Sequence, residues 1–426
     1  MNLITTHKGL LIILDGLGDR GIPSFGGKTP LEVAETPNMD SLATAGQCGL
    51  VDPLFAGMPV GTHTGFCPLF GLSQQQAIGL ARGPVEASGV GLSSSDQALY
   101  FRCNFATIER KGKRFKILDR RAGRINQGTE VLASDIGQVD LGEGITGSLH
   151  PATQHRVVLQ LEGLGLSNDI GNTDPGNDYR NKGLLSCQAN NPGDAAAEKT
   201  ARCINRLIEI VYDKLDQHPV NQRRREHGLA PANGIICRSP GKLPKIKSLL
   251  RHLKIDAGVI SGERTVLGFG KLLGYQLYEN PRFTGAKDTD LLAKMETARS
   301  ALKENDLVYL HIKATDIASH DMDPIAKREI LSKIDDAIAP LISDELVIGI
   351  TADHSTDSNT GRHTGDPIPS LIYNPYGRVD GCKSFSESAC AIGGLGRINS
   401  LGFLITFLDQ MNRLENFRPK DGTYLF

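Results

Sequence analysis

Seven short apolar runs recur along the chain: Leu10–Leu14, Val157–Leu161, Gly234–Cys237, Ala257–Ile260, Leu307–His311, Leu346–Thr351 and Ser370–Tyr373. Runs of four to six such residues have strand length, and helical patterns fill the intervals between them. Strands alternating with helices predict a largely parallel sheet with both faces covered, an α/β fold. Two intervals carry specific helix signals. Ala197, Ala201, Ile204, Ile208 and Val211 share one face of a helix over about Ala195–Leu215. Asp323–Pro324 reads as an N-cap followed by Pro at the first helical position, with Ile325, Ile330, Leu331 and Ile334 behind it at helical spacing.

The middle of the chain breaks this rhythm. Tyr100–Ile108 and Phe115–Leu118 flank Lys111–Arg114, a hairpin signature around Gly112, and Ser167–Cys187 is rich in Asn, Asp and Gly without periodicity. Residues 92–190 are therefore expected to form an inserted, smaller α+β domain that binds substrate and caps the site. Residues 1–91 and 191–426 are expected to form the catalytic core.

Composition excludes several roles. The 47 basic and 48 acidic residues nearly cancel, aromatics are 5% and Trp is absent, so neither a nucleic-acid partner nor a membrane-interface belt is expected. No run approaches the roughly 20 apolar residues of a membrane span. Leu10–Leu14 is too brief for a signal peptide and is read as a buried strand. The eight cysteines show no CxxC and no short zinc-type spacing, which predicts reduced thiols in a cytoplasmic protein.

Four segments place carboxylate or imidazole groups just after an apolar run. Leu10–Leu14 is followed by Asp15, Leu307–His311 by Lys313, Asp316 and His320, and Leu346–Thr351 by Asp353 and His354. His363 lies in the loop leading to the next run. Ligands in open α/β sheets bind at the carboxyl ends of the strands, so these groups should converge. Asp and His together suit divalent manganese, zinc, magnesium or cobalt. Asp15, Asp316, His320, Asp353, His354 and His363 suffice for two ions bracketing an in-line displacement. Each residue alone has a plainer reading: Asp316 with His320 is also an i,i+4 helix pair, and Asp353-His354 also a turn. A hydroxyl nucleophile is offered by Thr62 in Gly61-Thr62-His63-Thr64-Gly65-Phe66, which opens an apolar helical stretch where the dipole favours phosphate. Read alone, Thr62 or Thr64 is better explained as only an N-cap.

The chain resembles the archaeal-type cofactor-independent phosphoglycerate mutases of the alkaline phosphatase superfamily over nearly its whole length. The segments are LLIILDGLGDR (Leu10–Arg20), TPLEVAETPNMDSLA (Thr29–Ala43), NFATIERKGK (Asn104–Lys113), DRRAGRI (Asp119–Ile125), DIGNTDPG (Asp169–Gly176), HPVNQRRREHGLAPAN (His218–Asn233), HIKATDIASHD (His311–Asp321), TADHSTDSNTGRHTGDPIP (Thr351–Pro369) and GGLGRI (Gly393–Ile398). The resemblance implies an alkaline-phosphatase-like core in which Asp316, His320 and His363 hold one metal. Asp15, Asp353, His354 and the Thr62 oxygen would hold the other, with no 2,3-bisphosphoglycerate required. It implies a glycolytic isomerase that interconverts 3-phosphoglycerate and 2-phosphoglycerate through phospho-Thr62.

The nucleophile segment departs from the family pattern Gly-Ser-Asp-Thr-Ala-His. Thr62 keeps the hydroxyl, whereas His63 and Phe66 change its neighbours. The alternative is thus a related phosphotransferase or phosphohydrolase on another small phosphorylated or phosphonate metabolite, homoserine-kinase-like for example. A metal-binding pseudoenzyme is a third reading, opposed by the intact ligand set. Candidate substrate-binding residues are His63, Thr64, Arg120, Arg121, Arg124, Arg156 and Lys313, with Arg156 and also Arg180 weaker, because Arg clamps phosphate and carboxylate bidentately. Arg223, Arg224 and Arg225 read as a solvated helix end. The expected partner is a small phosphorylated metabolite, and self-association into a homo-oligomer is left open.

Overall fold

The structure is a computed structural model that describes residues 6–414 apart from 94, 244, 245, 247 and 344. It divides into two compact units, Met1–Gly79 with Ile246–Phe426, and Leu80–Lys245.

The first unit is built on an eight-stranded sheet. Its spatial order is Gln276–Tyr278, Ala257–Ile260, Leu307–Ile312, Lys8–Leu14, Leu346–Thr351, Ile368–Tyr373, Gln47–Asp52 and Gly396–Asn399. Every neighbouring pair is parallel except those made by Ile368–Tyr373, which runs against both its neighbours. The central strand is buried from Gly9 to Leu14, the signature of a parallel strand covered on both faces. On one face the helix Ser400–Gln410 approaches so closely that a Cβ on Gly9 would meet Met411 Sδ at 2.5 Å. The register sets Leu14 beside Ile312 and Ile13 beside Thr351, so the residues after these three strands leave the sheet at one edge.

The second unit is an antiparallel sheet in the order Arg114–Asp119, Ala98–Lys111, Arg156–Glu162, Thr146–Pro151 and Val139–Asp140. Gly234–Gly241 also pairs with Ala98–Lys111. The helix Ala195–Leu215 lays Ala197, Ala201, Ile204, Ile208 and Val211 into this unit's core. Its N-terminus is capped by Asp194, which accepts from Ala196 and Ala197.

Three expectations need correction. The second unit spans Leu80–Lys245 rather than 92–190, because Gly234–Gly241 completes its sheet and Ala195–Leu215 its core. For the same reason Val157–Leu161 and Gly234–Cys237 are strands of the antiparallel sheet, not of the parallel one. Finally, Ile325 is 52% exposed although Ile330, Leu331 and Ile334 are buried. It falls in the first turn of Pro324–Ile338, where the Asp323 cap to Ala326 rather than apolar burial starts the helix.

A candidate two-cation site at the sheet edge

Asp15 follows the first strand directly and is fully buried. Gly16 turns the chain there with φ +66°, and a Cβ on it would sit 2.9 Å from Asp316 Oδ1. Asp316 and His320 lie on the short helix Ala314–His320, so their i,i+4 spacing does put both on one face. Asp353 and His354 follow Leu346–Thr351 and are also fully buried. His363 sits in the strand Arg362–Thr364, which pairs with Ser355–Asp357. Thr62 is the first residue of the helix Thr62–Leu69, with Gly61 as N-cap, so the capping reading of Thr62 does not hold. This helix is pressed onto the site: a Cβ on Gly65 would lie 1.9 Å from the Asp353 carbonyl oxygen, a contact only glycine allows.

The six side chains fall into two adjacent groups, Asp15 with Asp353 and His354, and Asp316 with His320 and His363, the donor atoms within each lying inside 4.8 Å of one another. The outer nitrogens of the imidazoles are all committed. His320 Nδ1 donates to the Gly361 carbonyl at 2.7 Å and His363 Nδ1 to the Val60 carbonyl at 2.8 Å. His354 Nδ1 lies 3.1 Å from Thr356 Oγ1, which in turn donates to Asp316 Oδ1 at 2.8 Å. An N–H at Nδ1 leaves Nε2 as a bare lone pair in each neutral ring. His320 Nε2 and His363 Nε2 nevertheless face each other at 3.1 Å, with Asp316 Oδ1 3.4 Å and 3.7 Å away. Two lone pairs at that distance beside a carboxylate are a repulsive arrangement that a shared cation converts into ligation.

The other group gives the same answer from different atoms. Asp15 Oδ1 and Asp353 Oδ2 are buried without a hydrogen-bond partner, each 3.3 Å from His354 Nε2. Buried carboxylate oxygens left unpaired are costly unless an ion takes them. Burial, and next the charge of Asp15, push the Asp353 carboxyl up to about 7. Burial would lower His354, but Asp353 and Asp15 outweigh it and hold the ring at about 9. The donor set therefore fits divalent cations.

Lys313 ties the groups together. Its ammonium lies 2.9 Å from Asp15 Oδ2, 2.9 Å from Asp316 Oδ2 and 3.4 Å from Thr62 Oγ1. Burial raises the Asp15 carboxyl, yet Lys313, His311 and His354 together hold it well below the usual range. The Thr62 oxygen is also 3.4 Å from His354 Nε2. His311, not anticipated as a site residue, donates Nε2–H to Asp15 Oδ2 at 3.0 Å while its Nδ1 meets Ser261 Oγ at 2.9 Å. A His ending the strand beside a candidate ligand was the available signal.

His63 and Phe66 do not stand open beside the nucleophile. His63 is buried with its ring 5.3 Å from Phe269, and Phe66 packs edge-on against His311 at 5.1 Å. Thr64 is half-buried on the same helix.

Within the second unit the expected arginines do cluster. Arg120 grips Asp174 bidentately at 3.0 and 2.6 Å, and Arg238 reaches the same carboxylate at 2.7 Å. His155 is pushed down to about 3 by burial and then by Arg156, Arg121, Arg102 and Arg238. Arg121 is lowered by burial and by Arg124, Arg120 and Arg156. Arg102 and Arg238 face each other across paired strands, with Arg102 buried in an ion pair with Glu86 at 2.7 Å. Arg180 instead bonds the Tyr179 hydroxyl, and Arg224 caps the Ala122 and Ala230 carbonyls.

The Thr356 hydroxyl links one ligand group to the other, so Thr356→Val is expected to weaken metal affinity about 10–100-fold. Calorimetric titration of the metal-free protein with manganese checks this, and unchanged affinity would refute the linking role.

Comparison with known proteins adds an independent finding. The model of the family described as the Metalloenzyme superfamily matches residues 7–407. A Thermococcus kodakarensis protein named 2,3-bisphosphoglycerate-independent phosphoglycerate mutase is 38% identical, covering 96% of this chain and 99% of that one. A Methanopyrus kandleri protein of the same name is 37% identical, covering 96% and 98%. Among solved structures, a Pyrococcus horikoshii protein superposes with TM-score 0.81 at 33% identity, covering 97% of this chain and 100% of that one. A cofactor-independent phosphoglycerate mutase from Thermoplasma acidophilum gives TM-score 0.66 at 30% identity, covering 95% and 100%.

Proposed function

We infer function from the premise that this chain belongs to the Metalloenzyme superfamily and, within it, to the 2,3-bisphosphoglycerate-independent phosphoglycerate mutases. It is a metal-dependent phosphoryl-transfer isomerase that interconverts 3-phosphoglycerate and 2-phosphoglycerate. The observation that carries the mechanism is the Thr62 hydroxyl, at a helix N-terminus, 3.4 Å from both His354 Nε2 and Lys313 Nζ.

Asp15, Asp353 and His354 would hold one divalent ion, and Asp316, His320 and His363 a second, with manganese, zinc, magnesium or cobalt suited to the donors. Bound there, the ions supply Lewis-acid stabilisation of charge on the transferring phosphoryl group. Thr62 attacks phosphorus, takes the phosphoryl group, and returns it to the other hydroxyl of the retained glycerate. Lys313 places positive charge beside the attacking oxygen and favours its deprotonation. His311 and Ser261 hold the Asp15 carboxylate in orientation. Arg120, Arg121, Arg124 and Arg156 of the second unit are our candidates for gripping the substrate's carboxylate and phosphate.

His63 and Phe66 motivated the alternative substrate. Packing of His63 against Phe269 and of Phe66 against His311 accounts for them without one. Turnover of 3-phosphoglycerate with manganese, read through coupled enolase, is the test. Silence there, with activity on a generic phosphate ester, would overturn the mutase reading in favour of a phosphohydrolase.

A further inference from the structure

Cysteines far apart in the sequence meet beside the Gln47–Asp52 strand of the same sheet. Cys48 is the second residue of Gln47–Asp52, three strands across from Lys8–Leu14, and the register through Leu371 and Ile350 sets it level with Ile12. Cys382 belongs to the loop after Ile368–Tyr373, and Cys390 ends the short helix Glu387–Cys390. All three thiols are buried. The sulfurs of Cys48 and Cys382 and a carboxylate oxygen of Asp380 lie within 4.8 Å of one another. The Cys390 thiol donates to the Ser370 carbonyl at 3.7 Å.

Buried thiols alone are ordinary core residues. What distinguishes this cluster is the carboxylate held among them. Asp380 Oδ2 accepts from the Cys48 and Gly394 amides at 2.6 and 2.7 Å, and Oδ1 from the Cys382 amide at 3.0 Å. Those bonds anchor the loop. They also orient the carboxylate as outer-sphere partners orient a ligand, and Oδ1, with a single donor, keeps a second lone pair. Tetrahedral zinc with bonds of about 2.3 Å to sulfur sets its ligands roughly 3.8 Å apart, inside the observed spread. Thiolates select zinc-class ions over magnesium or calcium.

We propose that Cys48, Cys382 and Asp380 form a third metal site for a thiophilic divalent cation of the zinc class. Its role is structural, clamping the loop after Ile368–Tyr373 to the Gln47–Asp52 strand, and it does not depend on the catalytic reading above.

The test is titration of the reduced, metal-stripped full chain with cobalt(II). The catalytic donors are oxygen and nitrogen only, so a near-ultraviolet thiolate-to-cobalt charge-transfer band reports a sulfur site. The expected result is such a band saturating at one ion per chain and displaced by zinc. It should persist in Asp316→Asn and vanish in Cys382→Ser and in Cys48→Ser, with manganese-supported turnover retained in the serine variants. Should a serine variant fail to fold, the wild-type titration still decides. Absence of the band in fully reduced wild-type protein overturns the proposal. So does a band that survives Cys382→Ser, which would place the metal on other thiols, or a disulfide among the three found by mass spectrometry in protein purified without reductant.

Discussion

Thr62→Ala will lose mutase turnover by on the order of 10⁵-fold or more, while the protein stays folded and still binds metal. The reason is the isolation of that oxygen. Among the described residues around the two ligand groups, Thr62 Oγ1 is the hydroxyl that lies near both His354 Nε2 and Lys313 Nζ. Thr356 and Ser261 are already committed, to Asp316 with His354 and to His311 respectively. Ala at the first position of a helix whose cap is Gly61 disturbs no capping bond, so stability should move by less than about 1 kcal/mol. Thr62→Ser keeps the nucleophile and sheds a methyl that restricts the rotamer, so it should retain turnover within about tenfold. The enolase-coupled assay, with a thermal melt on the same samples, makes the measurement. Wild-type-like turnover in the alanine protein would eliminate phospho-Thr62 as an intermediate.

Parts of this site could be read without a structure because a parallel sheet delivers them in a predictable place. Asp15, Lys313 and Asp353 each follow an apolar strand, and the register aligns those strand ends. The second layer could not be read this way. The Gly361 and Val60 carbonyls that fix two imidazoles are backbone atoms, and the Ser261–His311–Asp15 chain joins residues nearly 300 positions apart. The unit boundary escaped for a similar reason. Gly234–Gly241 looks like any apolar run until it pairs with Ala98–Lys111, and the long helix between carries no mark of which core it serves. Cys48 and Cys382 are hidden by their separation, since the familiar zinc spacings describe ligands that are neighbours in sequence.

Stripping divalent ions with a chelator should destabilise the protein by about 5 kcal/mol, the linkage expected when two ions, each at roughly a hundred times its dissociation constant, are removed. The source of that loss is visible in the ligands. Asp15, Asp316 and Asp353 are at most 1% exposed, and Lys313 pairs with the first two. Without cations, the folded chain must keep three carboxylates in one dry pocket. Asp353 takes much of the strain, its carboxyl pushed up to about 7 by burial and Asp15. Because the folded value lies above the ordinary one, the metal-free penalty is absent below the usual carboxylate range and complete once pH passes about 7. Asp353→Asn should therefore melt higher than the wild type when both are metal-free at pH 8, and lower when both are loaded with manganese. Turnover should collapse in the same variant, separating what the carboxylate costs the fold from what it contributes to the chemistry. Melting curves with and without chelator decide the matter. Curves unmoved by chelation, or an Asn variant less stable in both states, would mean that these carboxylates were arranged for something other than cations.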